Sequence, residues 1–111
     1  MTTLYDFVKI AGDSESIVVT VLDETGAAVD LTGASGEYAI KTDVRAATNL
    51  LLLTSATNAI VFLSNVATIT LAPANTASLA GRYYHEFEVT LADARVFTPF
   101  VGWITINPTG V

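Results

Sequence analysis

The sequence predicts an all-β fold: an immunoglobulin-like β-sandwich of about seven to eight antiparallel strands, with one short helical turn near residues 73–80. Three observations point there. Thr, Val and Ile are abundant while Lys and Glu are few, the composition of pleated, half-buried surfaces. Turn residues recur about every ten positions, the spacing of short strands in sandwiches. The clearest segment, residues 83–91, alternates at period two.

The elements follow in order. Residues 16–22 read as the first clear strand, with Ile17, Val19 and Val21 on one face and Ser16, Val18, Thr20 and Leu22 on the other. Asp23-Glu24-Thr25-Gly26 turns the chain, Gly26 supplying a positive φ. After Val29 and Leu31, Gly33 to Gly36 loosen the backbone before a strand over 37–41. Residues 43–49 connect, and Leu50-Leu51-Leu52-Leu53-Thr54 reads as a strand because it is too short for a helix and has β-type neighbours. Residues 60–63 and 66–71 follow, split by Ser64-Asn65. Pro73 at a first helical turn, an Ala-rich run and Gly81 as the stop give one or two helical turns. In residues 83–91, Tyr83, His85, Phe87, Val89 and Leu91 alternate with Tyr84, Glu86, Glu88 and Thr90, a set polar enough to face water. Residues 96–106 form the last strand, with Pro99 marking an edge or a bulge.

Length and composition bound the function. The 111 residues make one domain, read as an N-terminal arm or edge strand over 1–12 and a single sandwich over 13–111. No cysteine is present, so disulfides and thiolate metal sites are excluded. Eleven acidic against five basic residues give a net charge of −6, which repels duplex nucleic acid and anionic membrane. Residues 46–81 carry no charge at all. That run is broken by Thr, Ser and Asn every few positions and is no membrane span. The N-terminus shows no basic leader and apolar core, so no secretory signal is expected.

Several fragments together carry a family resemblance. Asp30-Leu31-Thr32-Gly33 follows a glycine turn, and 73–79 runs into Ala80-Gly81-Arg82-Tyr83. Tyr83 to Val89 precedes a charged turn, and the last strand holds Gly102-Trp103-Ile104-Thr105-Ile106. In this order they resemble small β-sandwich virion proteins of tailed bacteriophages, in particular the phage baseplate upper protein N-terminal domain family, over about residues 13–108. The resemblance implies a virion component that packs against other proteins. Its motifs also have direct physical readings. Asp30 and Thr32 satisfy backbone groups at the turn closed by Gly33. Gly81-Arg82-Tyr83 resembles a tyrosine corner, in which the hydroxyl bonds the backbone upstream. An antibody domain would place a cysteine at His85, two residues beyond that tyrosine.

Catalytic candidates are thin. His85 is the lone histidine and shares strand parity with Phe87 and Val89, so it is read as a core or rim side chain bonded to a backbone carbonyl. Glu86 and Glu88 point the same way from one strand and are read as a solvated face rather than a calcium or acid–base pair. Asp13 with Glu15 and Asp23 with Glu24 are read as loop solvation. No nucleophile elbow, EF-hand loop or phosphate-cradling glycine loop is present. No catalytic residue, metal ligand or cofactor is assigned.

The apolar residues point instead to contact surfaces. With Ile104 and Ile106 inward, Phe100 and Gly102 are inward too, and Phe97, Pro99, Val101 and Trp103 share the outer face unless Pro99 makes a bulge. Tyr84 joins them from the neighbouring strand. Leu4, Tyr5 and Phe7 make the N-terminal arm a second contact region, expected to be held by the protein's own sheet or by a neighbour. Phe97, Val101, Trp103, Tyr84, Leu4, Tyr5 and Phe7 are therefore the expected interface. The expectation is a non-enzymatic virion subunit, made in the bacterial host cytoplasm, that self-associates and binds other phage virion proteins. Tail or baseplate component and capsid decoration or cement protein are both open. It is expected to bind no nucleic acid, membrane or small-molecule substrate. A carbohydrate-binding adhesion module, using Trp103 and Tyr84 beside Glu86 and Glu88, is the alternative.

Overall fold

A computed structural model describes residues 3–108; Met1, Thr2 and residues 109–111, at the two ends of the expected domain bounds, lie outside the described residues. Nine strands form, β1 (Thr3–Leu4), β2 (Phe7–Ile10), β3 (Glu15–Thr20), β4 (Ser35–Lys41), β5 (Leu51–Thr54), β6 (Ile60–Leu63), β7 (Val66–Leu71), β8 (Gly81–Thr90) and β9 (Val96–Asn107). A 3₁₀ turn, Ser55–Thr57, carries the chain from β5 to β6, and α1 (Pro73–Thr76) is the expected helical turn, with Pro73 in its first position.

The strands make two sheets. Sheet A has the order β1-β9-β8-β4-β5, with β2 also on β9, and sheet B has the order β3-β7-β6. Taking β3 to β9 as the immunoglobulin strands B, C, C′, D, E, F and G, these are the G-F-C-C′ and B-E-D sheets of that architecture. One departure from the expected all-antiparallel pattern is the N-terminal arm. It runs parallel to β9, with Thr3 opposite Phe100 and Phe7 opposite Ile104. The offset is the same on both sides of Tyr5-Asp6, so β1 and β2 are one edge strand interrupted there: the Tyr5 N–H still bonds the Val101 carbonyl, while the Tyr5 carbonyl turns to His85.

The core lies between the sheets. Tyr38, Ile40, Phe87, Val89, Phe100, Ile104 and Ile106 from sheet A meet Ile17, Ile60, Ala67, Ile69 and Leu71 from sheet B. Each inward residue is two positions from the next, as pleating requires. Two turns are fixed as the sequence predicts. Asp30 Oδ1 accepts from the Thr32 N–H at 3.0 Å and the Thr32 hydroxyl at 2.7 Å, and Gly33 takes the following φ of +75°. The Tyr83 hydroxyl donates to the Ala80 carbonyl at 2.8 Å and accepts its N–H at 3.1 Å. That corner turns on Gly81, whose φ of +117° disfavours any side chain.

Candidate functional site

The last strand does not present the face predicted for all of it. Phe87 pairs with Phe100 but Val89 pairs with Phe97, so Thr98-Pro99 oppose the single residue Glu88. This is a β-bulge at the proline, which cannot donate to the ladder. The extra residue reverses the parity of everything before it. Phe97 therefore faces the fully buried Val89 and packs on the core, and it leaves the predicted outer surface. Pro99 is buried at the bulge.

Beyond the bulge the predicted parity holds. Val101 and Trp103 lie outward, opposite Glu86 and Tyr84. They do not form an open aromatic platform. Tyr84 is only 8% exposed, which corrects its assignment to a contact surface. Trp103 meets it edge-on at 5.9 Å, and the Arg82 guanidinium lies 4.6 Å above the indole. Lys41 pairs with Glu86 at 3.2 Å. Glu37 stands directly opposite Glu88. The centre of sheet A's outer face is thus dressed by charged and aromatic side chains, while Val8, Ile10 and Leu52 are exposed on its flanking strands. In the arm, Leu4 is well exposed, while Tyr5 is partly covered and Phe7 packs against the core. The arm is held by the protein's own sheet, one of the two holders the sequence leaves open.

His85 organises that attachment. It is fully buried, and its Nε2 lies 2.6 Å from the Tyr5 carbonyl oxygen. A carbonyl only accepts, so Nε2 carries the proton and Nδ1 accepts from the Tyr38 hydroxyl at 2.9 Å. Asp6 completes the crossing, its Oδ1 accepting the Trp103 N–H at 2.8 Å. Rings of Tyr5, Tyr38, Phe7 and Phe100 surround the imidazole at 5.1–6.0 Å. Burial pushes the Tyr38 phenol upward. Burial also pushes His85 below its ordinary value of 6.5, against a smaller upward pull from the Tyr5 bond and the Asp6 charge. Both nitrogens are committed to protein partners, so the histidine bridges the arm to β4.

A pH dependence follows from that depression. Above about pH 6.5 the histidine is neutral in both folded and unfolded chains and contributes no slope. Below it the unfolded histidine takes a proton that the folded one refuses, so stability falls with pH, by at most about 1.4 kcal/mol per unit. The carboxyls of Asp23, Asp30 and Asp93 are held down chiefly by hydrogen bonds to Thr25, Thr32 and Arg95, and they act only below their ordinary range near 3.8. Urea unfolding between about pH 7 and 5 is expected to lose stability in the native chain and to be flatter in His85→Leu. A native slope no steeper than the variant's contradicts this.

No group of three or more His, Asp or Glu side chains gathers to hold a metal among the described residues. A cleft of about 360 Å³ lies between the arm and β3, with Tyr5, Val19, Val21, Asp23, Pro99 and Phe100 among its lining residues.

The most distinctive surface is the outer face of sheet B. Its rows are Ser16–Thr70, Val18–Thr68–Val61 and Thr20–Val66–Leu63. All eight residues are uncharged. Val18, Val61 and Leu63 are 65%, 55% and 77% exposed. Solvated faces of antiparallel sheets ordinarily turn polar residues outward, and here Ser16, Thr20, Thr68 and Thr70 do so while the exposed valines and Leu63 favour contact. β-Branched side chains favour the strands, and among the described residues Val18, Val61 and Leu63 stay exposed. Two sequence signals mark this face: the uncharged run over 46–81 supplies β6 and β7, and the second face of the first strand supplies Ser16, Val18 and Thr20.

Comparison with known proteins gives no match among protein-family models, curated proteins or solved structures.

Proposed function

We propose that this chain is a non-enzymatic structural subunit of a tailed-bacteriophage virion. It is made in the bacterial host cytoplasm and incorporated into the particle, as a tail or baseplate component or a capsid decoration or cement protein. It binds neighbouring virion proteins through the outer face of sheet B. The observation that carries this reading is that face: uncharged at all eight positions and apolar at four of them, Val18, Val61, Leu63 and Val66, on a protein of net charge −6. Exposed apolar side chains gathered on one uncharged face of a folded domain favour contact with another protein. The fragments around Asp30, Gly81 and Gly102 that resemble phage sandwich proteins supply the context. An adhesion module built on Trp103 is less well supported, because Arg82 lies over the indole and Tyr84 abuts its edge.

The test is incorporation. Tagged chain expressed during infection by the phage that carries its gene is expected to sediment with purified particles. Leu63→Glu places a charge in the docking face at an exposed position, and is expected to remain folded and be lost from particles at least tenfold. Wild-type chain recovered only in the unassembled fraction overturns the proposal.

A further inference from the structure

Resting on the reading of sheet B as a docking surface, we propose that its occupant is the same face of a second copy, packed sheet on sheet about a two-fold axis. Charge selects this partner. The outer face of sheet A carries Glu37, Glu86 and Glu88, and the turns carry Asp23, Glu24, Asp30, Asp43 and Asp93. Lys41 is already taken up by Glu86 and Arg82 lies over Trp103, so two copies meeting through those regions set Glu37, Glu88 and the turn carboxylates against one another. Through the outer rows of sheet B they bring no charge together, since Glu15 at the start of β3 shares the inward parity of Ile17. A basic partner is drawn to the acidic surfaces instead, and a charged side chain pressed on sheet B would be desolvated without a counter-ion. The complement of this face is therefore another flat, uncharged one, and each copy of the chain supplies it.

The register suits two-fold packing. Thr68 lies between Val18 and Val61 in the middle row, and Val66 lies between Thr20 and Leu63 in the next. An axis along β7 sets Val18 of each copy over Val61 of the other and Thr20 over Leu63. The two Thr68 hydroxyls then face each other on the axis. The contact is isologous and closes on itself, with the sheets spaced about 10 Å apart as in a sandwich interior. Three strands spaced about 4.8 Å, at about 3.3 Å per residue, make a patch of about 14 × 20 Å. That is well short of the roughly 800 Å² per partner of a standard interface, so the pair is weak and depends on concentration.

Sedimentation of the full chain, from about ten micromolar to one millimolar, reads this directly. The mass is expected to rise from one copy toward two. Raising the salt leaves the rise unchanged or strengthens it, because no ion pair is lost and the repulsion of net charge is screened. Val18→Glu and Val61→Glu each abolish the rise while their thermal midpoints at low concentration stay near wild type, since both side chains are exposed. Val18→Asn with Val61→Asn repeats the test without added charge. Trp103→Ala, on the opposite sheet, leaves the rise intact. A single-copy mass throughout, or a dimer that survives Val18→Glu and Val61→Glu, overturns the self-pairing. A single-copy chain that still enters particles, and is lost from them with Leu63→Glu, overturns it while leaving the virion reading standing. A dimer that never enters particles does the reverse.

Discussion

Gly102→Ala is expected to detach the N-terminal strand and lower the thermal midpoint by roughly 10 °C or more, on the scale of several degrees per kcal/mol for a domain of this size. A Cβ at this position would stand 2.6 Å from Asp6 Oδ1 and closer still to the Tyr5 carbonyl oxygen. Neither can retreat cheaply. The Tyr5 carbonyl is held by His85 Nε2, and Asp6 Oδ1 by the Trp103 N–H. If the arm stays, the strain of overpacking costs about 1–3 kcal/mol. If it leaves, Phe7 and Tyr5 lose their cover and the buried His85 N–H loses its acceptor, the last alone worth about 1–3 kcal/mol. Hydrogen exchange distinguishes the arm from the rest of the domain. The amides of Tyr5 and Ala11, bonded to Val101 and Asn107, should lose protection while those of β7 keep it. An alanine variant with a wild-type midpoint and a protected arm contradicts this account.

Much of the architecture was legible because period-two alternation and turn chemistry are local. The strands over 60–63 and 66–71, the Asp30–Thr32 turn, the Tyr83 corner and the inward set Phe100, Gly102, Ile104 and Ile106 can each be read from a few adjacent residues. Where reading failed, the cause lay outside the local pattern. Pro99 announced an edge or a bulge, but which side gains the extra residue depends on the register of β9 against β8, and that choice turned Phe97 inward. Tyr84 obeyed its parity and was still hidden, because cover on an outer face comes from long neighbours such as Trp103. The uncharged outer face of sheet B was not part of the expected interface, although Ser16-Val18-Thr20 and the uncharged run each supply part of it. Nothing in the sequence says that β3 and the β6–β7 hairpin share one sheet.

The arm and the uncharged face lie on different sheets and differ in their polar chemistry. Sheet A spends its polar groups internally: Asp6, His85 and Tyr38 tie the edge strand down, while Lys41, Glu86 and Arg82 dress the outside. Sheet B has no comparable polar network and leaves its outer face bare. A polar bridge stands where an antibody domain would place its disulfide and the tryptophan beside it. His85 is two residues beyond the corner tyrosine on β8, and Tyr38 projects from β4 to meet it. With no cysteine in the chain, this bridge needs no oxidation to form.

That bridge is the second place where a single change should be severe, and a double-mutant cycle separates its parts. His85→Leu keeps an apolar side chain of comparable bulk but strands the Tyr38 hydroxyl and the Tyr5 carbonyl. Each buried orphan costs about 1–3 kcal/mol, so the variant is expected to lose roughly 2–5 kcal/mol in urea unfolding. Tyr38→Phe strands only the His85 Nδ1 acceptor and is expected to lose about 1–2 kcal/mol. In the double variant, the phenylalanine removes the hydroxyl that leucine left unpaired, and only the Tyr5 carbonyl stays orphaned. The double variant is therefore expected to be more stable than the sum of the two singles predicts, by about 1 kcal/mol or more, a coupling typical of residues in one network. Strict additivity would mean that the Tyr38 hydroxyl and His85 do not depend on each other for satisfaction, and the latch built from their hydrogen bond would have to be abandoned.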